Sequence, residues 1–298
     1  MWFLLESECK DNLFLLIICF FQILFVILSQ DIKMRFSVIT INYNNVNGLR
    51  QTIESVVSQS LDSFEYIVID GGSTDGSLNV IKENEKEIDY WISEKDHGIY
   101  NAMNKGVALA HGDYSIFMNS GDSFIDEYVL MNVSKVIAGE DIVVGKAIID
   151  DLGHSISPPP ANGVLTLYHL YSGSIPHQGA FIRTELLRKY PYDEKLKISS
   201  DWKFFVQTLI LDNCSIRYID LPVSRYDING YSSSHPLLMK REKEQVLAEL
   251  FPPRVLADYQ HMKASECLTQ TLTPRLRRHY SIDKILYRIG RFLLKFVK

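Results

Sequence analysis

The spacing of apolar positions changes several times along the chain, and each change marks an element. From Phe36 to Ile41 apolar residues crowd together and stop at Asn42-Tyr-Asn-Asn, which reads as a strand ending in a polar turn. Leu49, Ile53, Val56 and Val57 then recur at helical spacing within 46–59. The next strand is 64–69, closed by Asp70-Gly-Gly-Ser-Thr-Asp-Gly. The alternation predicts a helix over 75–87 capped by Ser73 or Thr74, a strand over 88–93 and a helix over 97–110. It goes on with strands over 114–118 and 141–149 and a helix over 130–138 between them. Strands alternating with helices of 10–15 residues indicate βαβ units and an α/β fold on a mostly parallel central sheet with flanking helices.

The second half is less regular. Ser157-Pro-Pro-Pro breaks the chain, and Pro176-His-Gln-Gly leads from a loop into a strand ending near Arg183. Ser199-Ser-Asp-Trp opens a helix to about Leu211, 216–219 is a strand, 227–234 a polar loop and 237–250 a helix. No linker-like tract separates the halves, so one globular unit with an appended tail is expected.

The two ends depart from this pattern. Residues 13–28 are apolar except for Gln22, shorter than the about 20 residues a spanning helix needs. No basic leader or small-residue cleavage site marks a signal peptide. Two readings of 1–33 stand: a single N-terminal membrane anchor, or a mis-assigned start ahead of Met34. At the other end, eight basic residues between Arg275 and Lys298 face a single acid, Asp283, and Ile282, Ile285, Leu286, Ile289, Leu293 and Phe296 share one helical face. A basic amphipathic helix is suited to a membrane surface or to packing on the protein's own core.

Composition narrows the classes. With 298 residues and 46% hydrophobic content the chain can bury a large core. A net charge of −5 and a pI near 5.9 speak against a protein that coats nucleic acid, so no nucleic-acid partner is expected. Cys9, Cys19, Cys214 and Cys267 have neither zinc spacing nor a disulfide framework, which suits a reduced, cytoplasmic setting.

The chemistry-bearing stretches are Ser37-Val-Ile-Thr-Ile-Asn-Tyr-Asn-Asn, Phe64-Glu-Tyr-Ile-Val-Ile-Asp-Gly-Gly-Ser-Thr-Asp-Gly, Glu94-Lys-Asp-His-Gly-Ile-Tyr-Asn-Ala-Met-Asn-Lys-Gly and Gly112-Asp-Tyr-Ser-Ile-Phe-Met-Asn-Ser-Gly-Asp. Together, in this order, they resemble family 2 glycosyltransferases of the GT-A fold, and the third resembles a bacterial subset that builds surface polysaccharides. The resemblance covers about 35–235. It implies a Rossmann-like domain over 34–235, flanked by the extension 1–33 and a helical region 236–298 that carries the basic tail. It also implies a nucleotide-sugar donor, usually a UDP-sugar, in the first half, and a saccharide or lipid-linked acceptor in the second. Transfer would invert the anomeric centre, at the inner face of the cytoplasmic membrane.

The resemblance places Asn42, Tyr43, Asp70, Asp96, Asn104 and Lys105 at the donor, with Asp70 against the base or ribose. Asp70 could equally form the turn, Asp96 cap its helix and Lys105 lie on a solvated face. Relatives often have a second acid where Gly71 stands. Asn119-Ser-Gly-Asp122 occupies the place of the metal-binding Asp-x-Asp, with Asn119 and Asp122 as ligands for Mg2+ or Mn2+. Asp201 is the expected catalytic base, with Asp193 and Glu194 as competitors, and His177 and Gln178 fall on the acceptor side. Two alternatives remain: a nucleotidyltransferase, although no basic phosphate loop follows the first strand, and a sugar-nucleotide-binding protein with impaired catalysis.

Overall fold

The computed structural model describes residues 36–149, 155–156, 163–226 and 234–264. The expectations for 1–33, the loop 227–233 and the tail 275–298 lie outside them. Strand β1 (Phe36–Asn42) runs parallel to β2 (Phe64–Asp70) on one side and to β4 (Tyr114–Phe117) on the other. β3 (Tyr90–Ser93) extends the parallel set beyond β2. The remaining strands are β5 (Ser123–Phe124), β6 (Ile142–Ile149), β7 (Ser155–Ile156), β8 (Ala180–Arg183) and β9 (Ile216–Tyr226). The order across the sheet is β3-β2-β1-β4-β8-β6-β9-β5, with β7 on β6. β8 is antiparallel to both β4 and β6, whereas β6 and β9 are parallel.

Both faces of the sheet are buried, which accounts for the nearly continuous apolar runs. Phe36, Val38, Tyr66 and Val68 face one core with helices α1 (Val46–Val57), α2 (Ser77–Glu83) and α4 (Val129–Ser134). Ile39, Ile41, Ile67 and Ile69 alternate with them and face a second core with α3 (Ile99–Leu109). A Cβ at Gly106 would overlap Ile39, so this glycine lets α3 lie close against β1. The second core also takes in α5 (Leu167–Ser172), α6 (Thr184–Lys189), α7 (Ser200–Phe205) and α8 (Pro236–Leu250). Val246 and Leu247 of α8 are among its buried residues, so this helix folds onto the unit.

Several elements differ from the pattern-based expectation. α2 ends at Glu83 rather than 87, since no apolar residue follows Ile81 at helical spacing before Ile88. Its cap is Gly76, not Ser73 or Thr74. The helix expected over 199–211 is α7 followed by a π-helical stretch, Val206–Leu211. β9 is far longer than 216–219 because it pairs with β6 through Tyr226. α5, α6 and the two-residue β5 had no periodic signal long enough to announce them.

Candidate active site

The carboxyl ends of β1, β2, β3 and β4 point the same way, as parallel pairing requires, and the predicted residues cluster in the loops beyond them. Two of these loops are laced together. Asn45 accepts from Gly48 N at the start of α1, and Asp75 from the neighbouring loop accepts from Val46 N at 2.8 Å. Ser73 Oγ accepts from Asn44 N and Asn42 Nδ2, and Asn44 Oδ1 accepts from Thr74 N.

Asp70 sits at the knot. Its fully buried carboxylate accepts from Asn42 Nδ2 (2.7 Å), Ser73 Oγ (2.5 Å), Ser73 N (3.0 Å) and Ser93 Oγ (2.6 Å). Burial alone would raise its pKa, but these donors hold it below the ordinary aspartate value. Four donors occupy the about four acceptor positions of a carboxylate. These bonds give Asp70 a role in fixing the loop, and Asn42 Nδ2 belongs to the same knot while its Oδ1 is buried without a partner.

Asn104 and Lys105 also have partners within the protein. The Asn104 amide accepts from Tyr192 N and donates to Tyr192 O and Glu194 Oε1, so it fastens the 192–194 loop to α3. Lys105 Nζ is paired with Glu94 Oε1 at 2.6 Å. Asp96 does not cap a helix starting at His97. The helix begins after Gly98, and Asp96 Oδ1 accepts from Gly98 N. Its Oδ2 lies where a Cβ on Gly71 would stand, beside the edge of the Tyr43 ring. A larger residue at position 71 would therefore have to displace the Asp96 carboxylate, which reaches this space from a different loop. Tyr43 itself is 67% exposed and leaves a bare ring face.

The central cluster brings together three distant segments. Asp201, in the first turn of α7, accepts from Tyr100 Oη at 2.9 Å through Oδ1 and lies 3.3 Å from His177 Nδ1 through Oδ2. On its far side His177 Nε2 is 3.0 Å from Asn119 Nδ2. Asn119 is thus joined to Tyr100 through His177 and Asp201. The side chains of His177 and Asp201 are only 18% and 16% exposed. Burial opposes the charge on each, yet their mutual hydrogen bond and attraction keep Asp201 below and His177 above their ordinary pKa values. The charge of Asp122 adds to the rise at His177. Tyr100 is pushed well above the usual phenol value by burial first and then by the Asp201 charge, so its hydroxyl stays a donor.

The 119–122 loop is a turn in which Asp122 N donates to Asn119 O. Thr52 of α1 pins it by donating to Asp122 O at 2.6 Å and accepting from Gly121 N. Asn119 Oδ1 is buried and has no hydrogen-bond partner. Among the described residues no group of three His, Cys, Asp or Glu side chains is arranged to hold a metal alone. The oxygens present, Asn119 Oδ1 and the Asp122 carboxylate, are the hard donors that Mg2+ or Mn2+ takes when substrate phosphates and water complete the shell.

The competitors for the base are engaged elsewhere. Asp193 pairs with Lys203, and Glu194 accepts from Asn101 and Asn104. Gln178 is buried in the short turn His177–Gly179. Glu242 of α8 has no local signature in the sequence. Its buried carboxylate accepts from the backbone N–H groups of Lys197, Ile198 and Ser199 at 2.7, 3.0 and 3.0 Å. These residues lead directly into α7, and a charged residue inside a helix of low amphipathicity was the only available hint. Lys203 of α7 adds a second tie to α8 through Glu249.

Comparison with solved structures defines the class. The protein resembles S. aureus TarS 1-349 in complex with UDP-GlcNAc, with a TM-score of 0.57 at 21% identity, over 67% of this chain and 61% of TarS 1-349. It also resembles the mannosyltransferase PcManGT from Pyrobaculum calidifontis in complex with GDP-Man and Mn2+, with a TM-score of 0.58 at 15% identity, over 74% of this chain and 64% of that one. These likenesses establish the GT-A fold, and the chain spans only about three fifths of those structures. Residues 37–181 match Glycosyl transferase family 2. An uncharacterized glycosyltransferase of Mycobacterium tuberculosis (strain ATCC 25618 / H37Rv) is 32% identical over 207 residues, 66% of this chain and 76% of that protein. A PGL/p-HBAD biosynthesis glycosyltransferase of Mycobacterium bovis (strain BCG / Pasteur 1173P2) is 29% identical over 203 residues, 65% and 77% of the two chains. The chain belongs to glycosyl transferase family 2, and the nucleotidyltransferase alternative falls away.

Proposed function

We propose that the protein transfers a sugar from a UDP-sugar to a hydroxyl of a saccharide or lipid-linked acceptor, with inversion, in the assembly of cell-surface polysaccharide or glycolipid. The observation that carries this reading is the Asp201 carboxylate, held ionised by Tyr100 and His177 next to the Asn119–Asp122 loop. As the acceptor oxygen bonds to the anomeric carbon, Asp201 takes its proton and the bond to the leaving diphosphate breaks. Attack opposite the leaving group inverts the centre. His177 and Tyr100 orient the carboxylate.

The donor end rests on the exposed Tyr43 ring and on Asp96, whose Oδ2 lies over Gly71. A ring face and a carboxylate suit stacking and acceptance of a base N–H. The UDP-GlcNAc complex of TarS and the name of the PGL/p-HBAD relative support the donor class and a cell-surface product. A divalent ion held by Asp122 and Asn119 would neutralise charge on the leaving diphosphate. Among the described residues no helix is long and apolar enough to cross a membrane. Attachment at the inner membrane face would then rest on the ends of the chain, the basic tail or residues 1–33.

A panel of nucleotide-sugars screened for thermal stabilisation with Mn2+ tests the reading. A UDP-sugar should raise Tm, and EDTA should reduce the shift. Stabilisation by no nucleotide-sugar, with or without metal, would contradict it.

A further inference from the structure

Two lysines lie on the α8 side of the candidate base and take no part in the chemistry above. Lys243 Nζ donates to Gly173 O at 3.0 Å and sits 4.8 Å from the ring centre of Trp202, the residue after Asp201. Lys263, on the helix 253–264, sits 5.3 Å from the ring centre of Tyr171 at the end of α5. Tyr259 from the same helix packs on Tyr171 and Tyr168, with ring centres 5.6 and 6.3 Å apart. Lys243 is thus tied to Gly173, two residues beyond the Tyr171 ring that Lys263 covers.

Capping the C-terminal end of α5 explains one hydrogen bond but not the pair. A half-buried ammonium is normally matched by a carboxylate, because burying charge without one is costly. Among the described residues neither Lys243 nor Lys263 has a carboxylate within ion-pair distance. Burial lowers the Lys243 pKa to about 8, Asp201 lifts it in part and Lys263 lowers it further. A half-buried cation and an exposed one over neighbouring aromatic rings form a place that an anion can pair with. Trp202 adjoins Asp201 in the chain, so an anion held at Lys243 would lie beside the candidate base.

We propose that Lys243, seated on the buried Trp202 ring, and Lys263, beside Tyr171, form a subsite for a phosphate ester next to the base. The phosphate belongs to the acceptor or to an anionic lipid headgroup, and the same chemistry serves either. This rests on Asp201 facing the acceptor.

The test uses full-length protein saturated with UDP, so that the donor site is filled. Lys243, with its lowered pKa, should react readily with an amine-labelling reagent at pH 8. Glucose 1-phosphate should slow that labelling at least about tenfold, whereas methyl glucoside should not. Vesicles of phosphatidylcholine with phosphatidylglycerol form the second arm, and protection by these alone would assign the phosphate to a headgroup. Lys243→Gln should weaken binding of the protecting ligand about tenfold or more, and Lys243→Arg should retain it. Protection by neither ligand, or equal binding by wild type and Lys243→Gln, overturns the subsite. UDP affinity measured in the same samples separates the two readings, since its absence in wild type would count against the donor assignment instead.

Discussion

At the scale of single residues, the account turns on which polar groups are already committed. Asp70, Asn104 and Lys105 carry the family motifs, yet their hydrogen bonds and ion pairs end within the protein. Asp201 and His177 shift each other's protonation in opposite directions, and this has a pH signature. His177 has a raised folded pKa, so its contribution is complete below 6.5, its ordinary value, and is lost as pH rises through the raised value. Asp201 has a lowered folded pKa, so its contribution is present above 3.8 and is lost as pH falls through the lowered value. The Tm difference between wild type and His177→Gln should therefore be largest below pH 6.5 and shrink as pH rises. A difference that grows with pH would show that His177 is neutral in the fold. The motifs made these positions visible, but not their partners. Ser93 lies 23 residues from Asp70 and Tyr100 lies 101 from Asp201, distances at which no spacing rule operates.

At the scale of elements, α8 matters more to the site than its weak pattern suggested. Glu242 takes up three backbone N–H groups of the segment that delivers Asp201, and Glu249, about two turns further along α8, grips Lys203. In Glu242→Gln one oxygen remains to accept, and at least one buried N–H faces an amide donor. Leaving such a group unpaired costs about 1–3 kcal/mol. Denaturant unfolding should register that loss, and transfer should slow while UDP affinity holds, because only the path to Asp201 is disturbed. A stability equal to wild type would mean that water or relaxation replaces the lost bond. The βαβ half of the fold was legible because its strands are buried on both faces and its helices present one apolar stripe. The second half was less so. Its helices are as short as six residues, one continues in π form, and its longest strand is defined by its partner β6 rather than by its own alternation.

At the scale of the whole molecule, the sheet changes from parallel to antiparallel at β8, and the candidate site forms where the two halves meet. β1 to β4 bring the laced loops and the Asn119–Asp122 turn. The turn His177–Gly179 before β8, α7 and the helix α8 behind it bring His177, Asp201 and Lys243. Order and spacing of four motifs were enough to read the family and the parallel half of the fold from the sequence. Junctions such as Asn119–His177 had to be seen in three dimensions, since they join turns far apart in the chain. The central claim is that Asp201 accepts the acceptor's proton in a transfer from a UDP-sugar. The most direct measurement compares sugar transfer by wild type and Asp201→Asn, with UDP affinity determined for both. The account predicts a fall in turnover of about 10²–10⁴-fold, the usual contribution of a positioned base, with little change in UDP affinity. Near wild-type transfer by Asp201→Asn would contradict it.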